Sequence, residues 1–248
     1  MHKSELKKYC TPTVIVAHPD DEVISSSQML YYLRDRIHIV YATDGDADSI
    51  GIAEQVRLEA QKALGILGIN KNIHFLDIPE FEFYKHILEI RRRLVRILLE
   101  INPDLVITHA YEGGHFDHDL LRLVIDIIQR DGELTSDIAE FALYHDVNGV
   151  NNHNTFIDNI GQEILFHPRT EDIERKQKAF NAYKSQDCCL AEFNTDIVER
   201  VRFLCQESND VERFRSRPHK WQLGYERKDI IKNYDLFKGT VTQLLDDN

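Results

Sequence analysis

Two short stretches about a hundred residues apart concentrate the groups that could do chemistry. Ala17-His18-Pro19-Asp20-Asp21-Glu22 and Gly113-Gly114-His115-Phe116-Asp117-His118-Asp119 together hold three histidines, four aspartates and a glutamate. A His-x-x-Asp pair with a distant histidine is a sound first shell for a catalytic zinc, which takes three protein ligands and leaves one position for water. His18 and Asp21 can point at one ion if the turn sets i and i+3 on a shared face, and Asp20 is then free for another task. Pro19 stiffens that turn. A helix start needs one cap, so a histidine and three consecutive acids exceed what capping requires. In the second stretch, Gly113-Gly114 allows φ > 0 or close backbone approach. His115 and His118 could both ligate, or one could ligate while the other does acid–base work. Asp117 could fix an imidazole tautomer, and Asp119 could start the following helix. The chemistry this set suits is metal-dependent hydrolysis, in which zinc lowers the pKa of a water toward ~7 and a carboxylate takes the proton.

Both stretches must be held at one place, and each directly follows a run that reads as a buried β-strand. Strands are expected at Thr13–Ala17, Ile37–Ala42, Ile73–Leu76, Leu105–Thr108, Phe141–His145 and Ile164–His167. They are short apolar or β-branched runs, as in a sheet covered on both faces. Helices are expected between them. Ile52–Leu67 stops at Gly68, a C′ glycine. Phe83–Ile101 stops before Asn102-Pro103, with Arg91-Arg92-Arg93 on its solvated side. Leu120–Gln129, Thr170–Tyr183 and Thr195–Glu207 follow. The alternation implies right-handed crossovers and a Rossmann-like, doubly wound, mostly parallel α/β sheet with helices on both faces. In such a sheet the carboxyl ends of the strands bind ligands. The 248 residues read as one domain, with a core over about 12–190 and a C-terminal extension over about 191–248. Within that extension the polar, basic and aromatic run Arg213–Trp221 reads as a cap.

Bulk properties narrow the partners. A net charge of −12 disfavours nucleic acid and anionic membranes. No run approaches the roughly 20 apolar residues of a membrane helix, and Met1–Cys10 is followed by no signal-peptide core. Cys10, Cys188, Cys189 and Cys205 show no disulfide or zinc spacing, which points to a reducing cytoplasm. A small-molecule or glycan-conjugate substrate is expected, with an oligomer possible.

Ala-His-Pro-Asp-Asp-Glu, then Thr43-Asp44-Gly45 after the second strand and Glu112-Gly-Gly-His-x-Asp-His-Asp119 after the fourth, resembles the PIG-L/LmbE-like zinc deacetylase family. The resemblance covers about residues 12 to 190. Arg57, Glu59 and Leu67-Gly68 are also similar to the family pattern, as is Lys178–Gln186 with its ending Tyr183-Lys184-Ser185-Gln186. It implies removal of an N-acetyl group from an N-acetylglucosamine-type or related amino-sugar conjugate. It further implies that His18, Asp21 and His118 bind zinc and that Asp20 is the general base. His115, oriented by Asp117, would be an acid or oxyanion stabiliser, and either Asp20 or His115 would protonate the leaving amine. Arg57, Glu112 and His145 are the substrate-side candidates. Two histidines and a carboxylate also suit Fe²⁺ or another divalent ion. Two departures stand out: Val23-Ile24-Ser25-Ser26-Ser27 replaces a Leu-Gly-x-Gly-like stretch, and Phe116 stands where proline is common. The competing readings are a hydrolase of a different amide or ester conjugate and a catalytically idle sugar binder. Retention of the whole ligand set together with Asp20 argues against the second.

Overall fold

A central strand buried along its whole length organises the molecule. The computed structural model describes residues 2–46, 51–147, 150–186 and 193–203. In it β1 (Pro12–Val16) lies between β2 (His38–Thr43) and β4 (Leu105–His109), parallel to both. Side chains alternate across a strand, so β1 feeds two cores. Val14 and Val16 join one with α1 (Asp21–Leu33), α2 (Ala53–Ile66) and α5 (Thr170–Phe180). Ile15 packs into the other with α3 (Ile87–Ile101) and α4 (Phe116–Arg130). The sheet runs β3-β2-β1-β4-β5-β9-β8, where β3 is Ile73–Ile78, β5 Asp137–Phe141, β8 Gln162–Phe166 and β9 Glu199–Phe203. The strand order reverses direction at β1, so the crevice beyond the carboxyl ends of β1 and β4 is the topological switch point of a doubly wound sheet. Both chemistry-bearing stretches open there. No helix of the described residues is long and apolar enough to cross a membrane.

Three expectations are corrected. The strand expected at Phe141–His145 is the end of β5 plus the start of β6 (Tyr144–Val147), which pairs with β7 (Val150–His153) in a separate hairpin. The break between them is imposed by Glu112, whose carboxylate accepts from Leu143 N–H (2.9 Å) and Tyr144 N–H (3.2 Å) in place of a neighbouring strand. The helix expected over Thr195–Glu207 contains β9, which runs antiparallel to β5 and β8 and gives the parallel sheet an antiparallel edge. Its period-2 pattern is hidden because Glu199 and Arg202 are buried on partners. The helix expected from Leu120 begins four residues earlier, which puts His118 in the first turn of α4. Cys10 is a free, exposed thiol. Cys188, Cys189, Cys205 and the run Arg213–Trp221 lie outside the described residues.

The serines after the first motif mark a kink. Ser26 leaves helical geometry at φ −144°, ψ 19° inside α1, and Ser25 Oγ turns back to donate to the Asp21 carbonyl (2.7 Å). In an unbroken helix Gln28 N–H would donate to Ile24 C=O. Here Gln28 N–H donates to Glu199 (2.8 Å), and Lys176 Nζ donates to Ile24 C=O (2.6 Å). Lys176 and Glu199 are themselves 3.1 Å apart and almost fully buried. A buried ion pair therefore takes the place of one helix hydrogen bond and fastens α1 to α5 and β9. Glu199→Ala leaves a buried ammonium and a buried N–H without their carboxylate. It is expected to cost about 3–5 kcal/mol, read as a lower urea midpoint at unchanged m-value.

Candidate active site

The turn after β1 is rigid and strained. Thr43 donates to the Ala17 carbonyl from its N–H (2.8 Å) and its Oγ1 (2.9 Å), which ties the end of β1 to β2. Gly45 at φ +70° lies so close to Pro19 that a Cβ there would be 3.1 Å from the ring. His18 N–H donates to Asp21 Oδ2 at 2.7 Å. Asp20 itself has φ 121° and ψ −31°, a conformation that costs a residue with a Cβ of order 1–3 kcal/mol and that clusters at functional sites.

His18, Asp21 and His118 converge. His18 Nδ1 lies 3.0 Å from His118 Nε2 and 3.3 Å from Asp21 Oδ2, and His118 Nε2 lies 3.2 Å from Asp21 Oδ1. Tetrahedral zinc with bonds of about 2.0–2.1 Å sets its ligand atoms about 3.3 Å apart. The two imidazole nitrogens and the Asp21 carboxylate, measured from one oxygen to each ring, therefore lie at the spacing of neighbouring ligands in such a site, and this set of groups fits a divalent cation. His18 completes the fit at its far side. Its Nε2 lies 3.2 Å from Asp117 Oδ2 and 3.7 Å from Glu80 Oε1, the carboxylate–histidine arrangement that orients a metal-ligating imidazole.

Two looser groupings share His118: one with His18 and His115, the other with Asp21 and His109. Hydrogen bonding separates the roles of the two extra rings. His109 Nε2 accepts the Ala17 N–H (3.0 Å), which engages its lone pair, while its ring stacks on His118 at 4.0 Å and lies 3.3 Å from Asp21. Burial, and then the His118 charge, pushes His109 down to about 3, so it is a neutral wall behind the ligands. His115 caps α4, its Nδ1 accepting the Asp117 N–H (3.2 Å). The Asp117 carboxylate takes Phe81 N–H (3.0 Å) as well as His18. Asp117 thus meets His115 through its backbone, whereas its side chain serves His18, a different division of labour from the one expected. Burial and the neighbouring His18 and His118 hold His115 well below the usual histidine range. A neutral ring that accepts at Nδ1 carries its proton on Nε2.

The acids differ in the same way. Burial would raise Asp21, but the histidines around it more than reverse this and hold it well below the carboxylate range. Asp20 is pushed up by burial and by the Asp21 charge. Among the described residues no group donates a hydrogen bond to its carboxylate, which leaves that carboxylate free to accept a proton from a ligand. Burial raises Glu22 and Glu80 each to about 7.

The substrate-side candidates each have partners within the protein. Glu112 is engaged by the backbone ahead of β6. Arg57 pairs with Asp77 and stacks over Phe75 at 4.4 Å. His145 Nε2 faces Thr155 Oγ1 (3.2 Å) in the β6–β7 hairpin. Asp119 accepts from Glu112 and Gly113 N–H, each at 2.9 Å, and so shapes the glycine turn. Four residues that sequence reasoning missed stand in the crevice: His109, Glu80, Phe81 and Tyr144. The Tyr144 ring meets His118 edge-on at 5.6 Å and packs so tightly on Gly114 that no Cβ fits there. His109 closes β4 and Glu80 lies two residues beyond β3, at the carboxyl ends of strands where the other site residues also lie.

Residues 13–128 match the model of one family, PIG-L, described as GlcNAc-PI de-N-acetylase. Solved structures share the fold. N,N'-diacetylchitobiose deacetylase from Pyrococcus horikoshii is 24% identical, with 75% of each chain covered and a TM-score of 0.52. The A40926 pseudoaglycone deacetylase Dbv21 is 17% identical over 80% of this chain and 98% of its own, with a TM-score of 0.59. The zinc-inhibited form of teicoplanin deacetylase Orf2 is 14% identical over 80% and 100%, with a TM-score of 0.56. The matched residues contain both chemistry-bearing stretches, and β9 with its ion pair to α5 lies beyond them.

Because Asp117 orients His18 without itself belonging to the tight triangle, Asp117→Ala is expected to weaken zinc binding by about 10–100-fold. Asp20→Ala should leave affinity within a few-fold of wild type. Competition against a chromophoric chelator reads both.

Proposed function

We propose that this chain is a zinc-dependent N-deacetylase that hydrolyses the acetamide of an N-acetylglucosamine-type or related amino-sugar conjugate. The observation that carries the reading is the triangle of His18, Asp21 and His118 with the unengaged Asp20 carboxylate beside it. The PIG-L family match and the deacetylase names of the structural neighbours support it. His18, Asp21 and His118 would hold the cation. Once bound, it would supply a water of lowered pKa and a Lewis-acid contact for the amide carbonyl.

The chain's own residues do the rest. Asp20 accepts the proton released as water adds to the carbonyl carbon. His115, neutral and protonated at Nε2, donates a hydrogen bond where negative charge develops on the carbonyl oxygen. Its Nδ1 is already occupied by the Asp117 N–H, so it carries no second proton to give. The protonated Asp20 then delivers its proton to the departing nitrogen as the C–N bond breaks, yielding acetate and the free amine. Phe81, 5.1 Å from the His115 ring, and Tyr144 wall the crevice against bulk water.

The test is amine release from a panel of N-acetylglucosamine derivatives, with metal content measured on the same samples. Wild type is expected to bind close to one zinc per chain and to turn over at least one conjugate. Asp20→Ala should keep its zinc and lose about 10²–10⁴ in kcat. Zinc without amine release from any acetamido sugar would remove the sugar from the proposal, and failure to bind metal after reconstitution would overturn it.

A further inference from the structure

Glu22 is the last residue of the first motif and has no part in the chemistry just described. It follows Asp21 in the first turn of α1, a position from which a carboxylate ordinarily faces water. Here it is wholly buried and folds back on the chain ahead of the helix. Its Oε2 accepts the Asp20 N–H at 3.1 Å, and its Oε1 accepts the Tyr183 hydroxyl at 2.8 Å. The Asp20 carbonyl is fixed independently by Val23 and Ile24 N–H, at 2.9 and 3.0 Å, so Glu22 fixes the peptide group on the other side of the Asp20 Cα. Tyr183 is fixed in turn. Just after it, Ser185 donates to Glu59 from its N–H (3.1 Å) and its Oγ (2.5 Å), and Gln186 Nε2 donates to the Gly45 carbonyl (3.2 Å).

We propose that Glu22 is a positioning residue: braced by Tyr183, it locks the strained Asp20 backbone and so aims the Asp20 carboxylate at the reacting water. A misplacement of about 1 Å in a reacting group can cost 10²-fold in rate. Asp20 at φ 121° has commoner conformations to fall into once its N–H is released. The lock depends on the reach of the side chain and not on its charge. A glutamine keeps an oxygen for Asp20 N–H and presents an NH₂ to the Tyr183 hydroxyl oxygen, which can accept it. An aspartate keeps the charge but is shorter by one C–C bond, about 1.5 Å. The inference rests on Asp20 being the base.

The experiment compares Glu22→Gln with Glu22→Asp by kcat and KM on the acetamido-sugar substrate, by zinc content, and by hydrogen exchange of the Asp20 amide. Glu22→Gln is expected within about threefold of wild type in kcat. Glu22→Asp is expected to lose at least tenfold in kcat at unchanged KM and zinc content, with the Asp20 amide exchanging at least tenfold faster. Equal activity of Glu22→Asp and wild type would overturn the lock. So would an equal loss in both variants, which would make charge the cause, or zinc lost in step with kcat, which would make Glu22 a support of the metal ligands. If wild type releases no amine, the proposed function fails on its own. Amide exchange then decides for Glu22: faster exchange in Glu22→Asp supports the lock, and unchanged exchange overturns it.

Discussion

The crevice at the switch point gathers five carboxylates around the histidines at the carboxyl ends of β1 and β4. Asp20, Asp21, Glu22 and Asp117 are buried, and Glu80 is nearly so. Each ionised carboxylate removed from water costs several kcal/mol even after relaxation. Imidazoles and backbone N–H groups offset part of this: Asp21 has three rings around it, and Asp117 has His18 and Phe81 N–H. Asp20 has no donor among the described residues. A divalent cation held by His18, Asp21 and His118, as proposed, would add positive charge at the point where these carboxylates and imidazoles converge. The tied turn after β1, Gly114 packed under Tyr144 and the helix start at Phe116 hold these groups in place.

The frame contains a second set of buried charges built on the opposite rule. Lys176 and Glu199 neutralise each other inside the kink of α1. Arg122 meets Asp126 (2.9 Å) and Glu140 (3.1 Å), and Arg202 meets Glu140 and Asp158, linking α4, β5 and β9. In this set each cation faces a carboxylate, as a structural network requires. Shifted titration alone does not separate structural networks from functional sites. The contrast in completeness does: the frame closes its pairs, and in the crevice the Asp20 carboxylate receives no hydrogen bond from the described residues.

Much of the site was legible because each key residue directly follows an apolar run. His18, Asp20 and Asp21 after β1, and His115, Asp117 and His118 after β4, are found by reading strand ends alone. The same rule reaches His109, which directly follows the expected run Leu105–Thr108 and closes β4; a lone histidine there, with no acidic neighbour in sequence, carries no signal of its own. Glu80 was lost because β3 extends to Ile78 past the polar Asp77, so the strand end was placed too early. Arg57, Glu112 and His145 show the opposite limit. Their types suit a substrate, yet nothing in a linear pattern reveals that Asp77 and Phe75 hold Arg57, or that Glu112 terminates a strand. The edge of the sheet was hidden for a related reason: β9 buries Glu199 and Arg202, and charges neutralised by distant partners erase the alternation that marks a strand.

The two departures from the family pattern fall in the frame and leave the ligands untouched. Phe116 occupies the first position of α4, where a backbone N–H has no helical acceptor and proline is therefore harmless. A phenylalanine there gives up the fixed φ and gains contact, since its ring joins the core formed with α3. The serines of α1 bend the helix, and Lys176 with Glu199 restores the broken bond from two other elements. In each case the entry to a helix is held by packing or charge from elsewhere in the fold, so the turn ahead of it keeps its geometry. Glu80, Phe81 and Tyr144 line the walls of the crevice, while the Asp20 backbone and the cluster of His18, Asp21 and His118 are held by the turn after β1 and the start of α4.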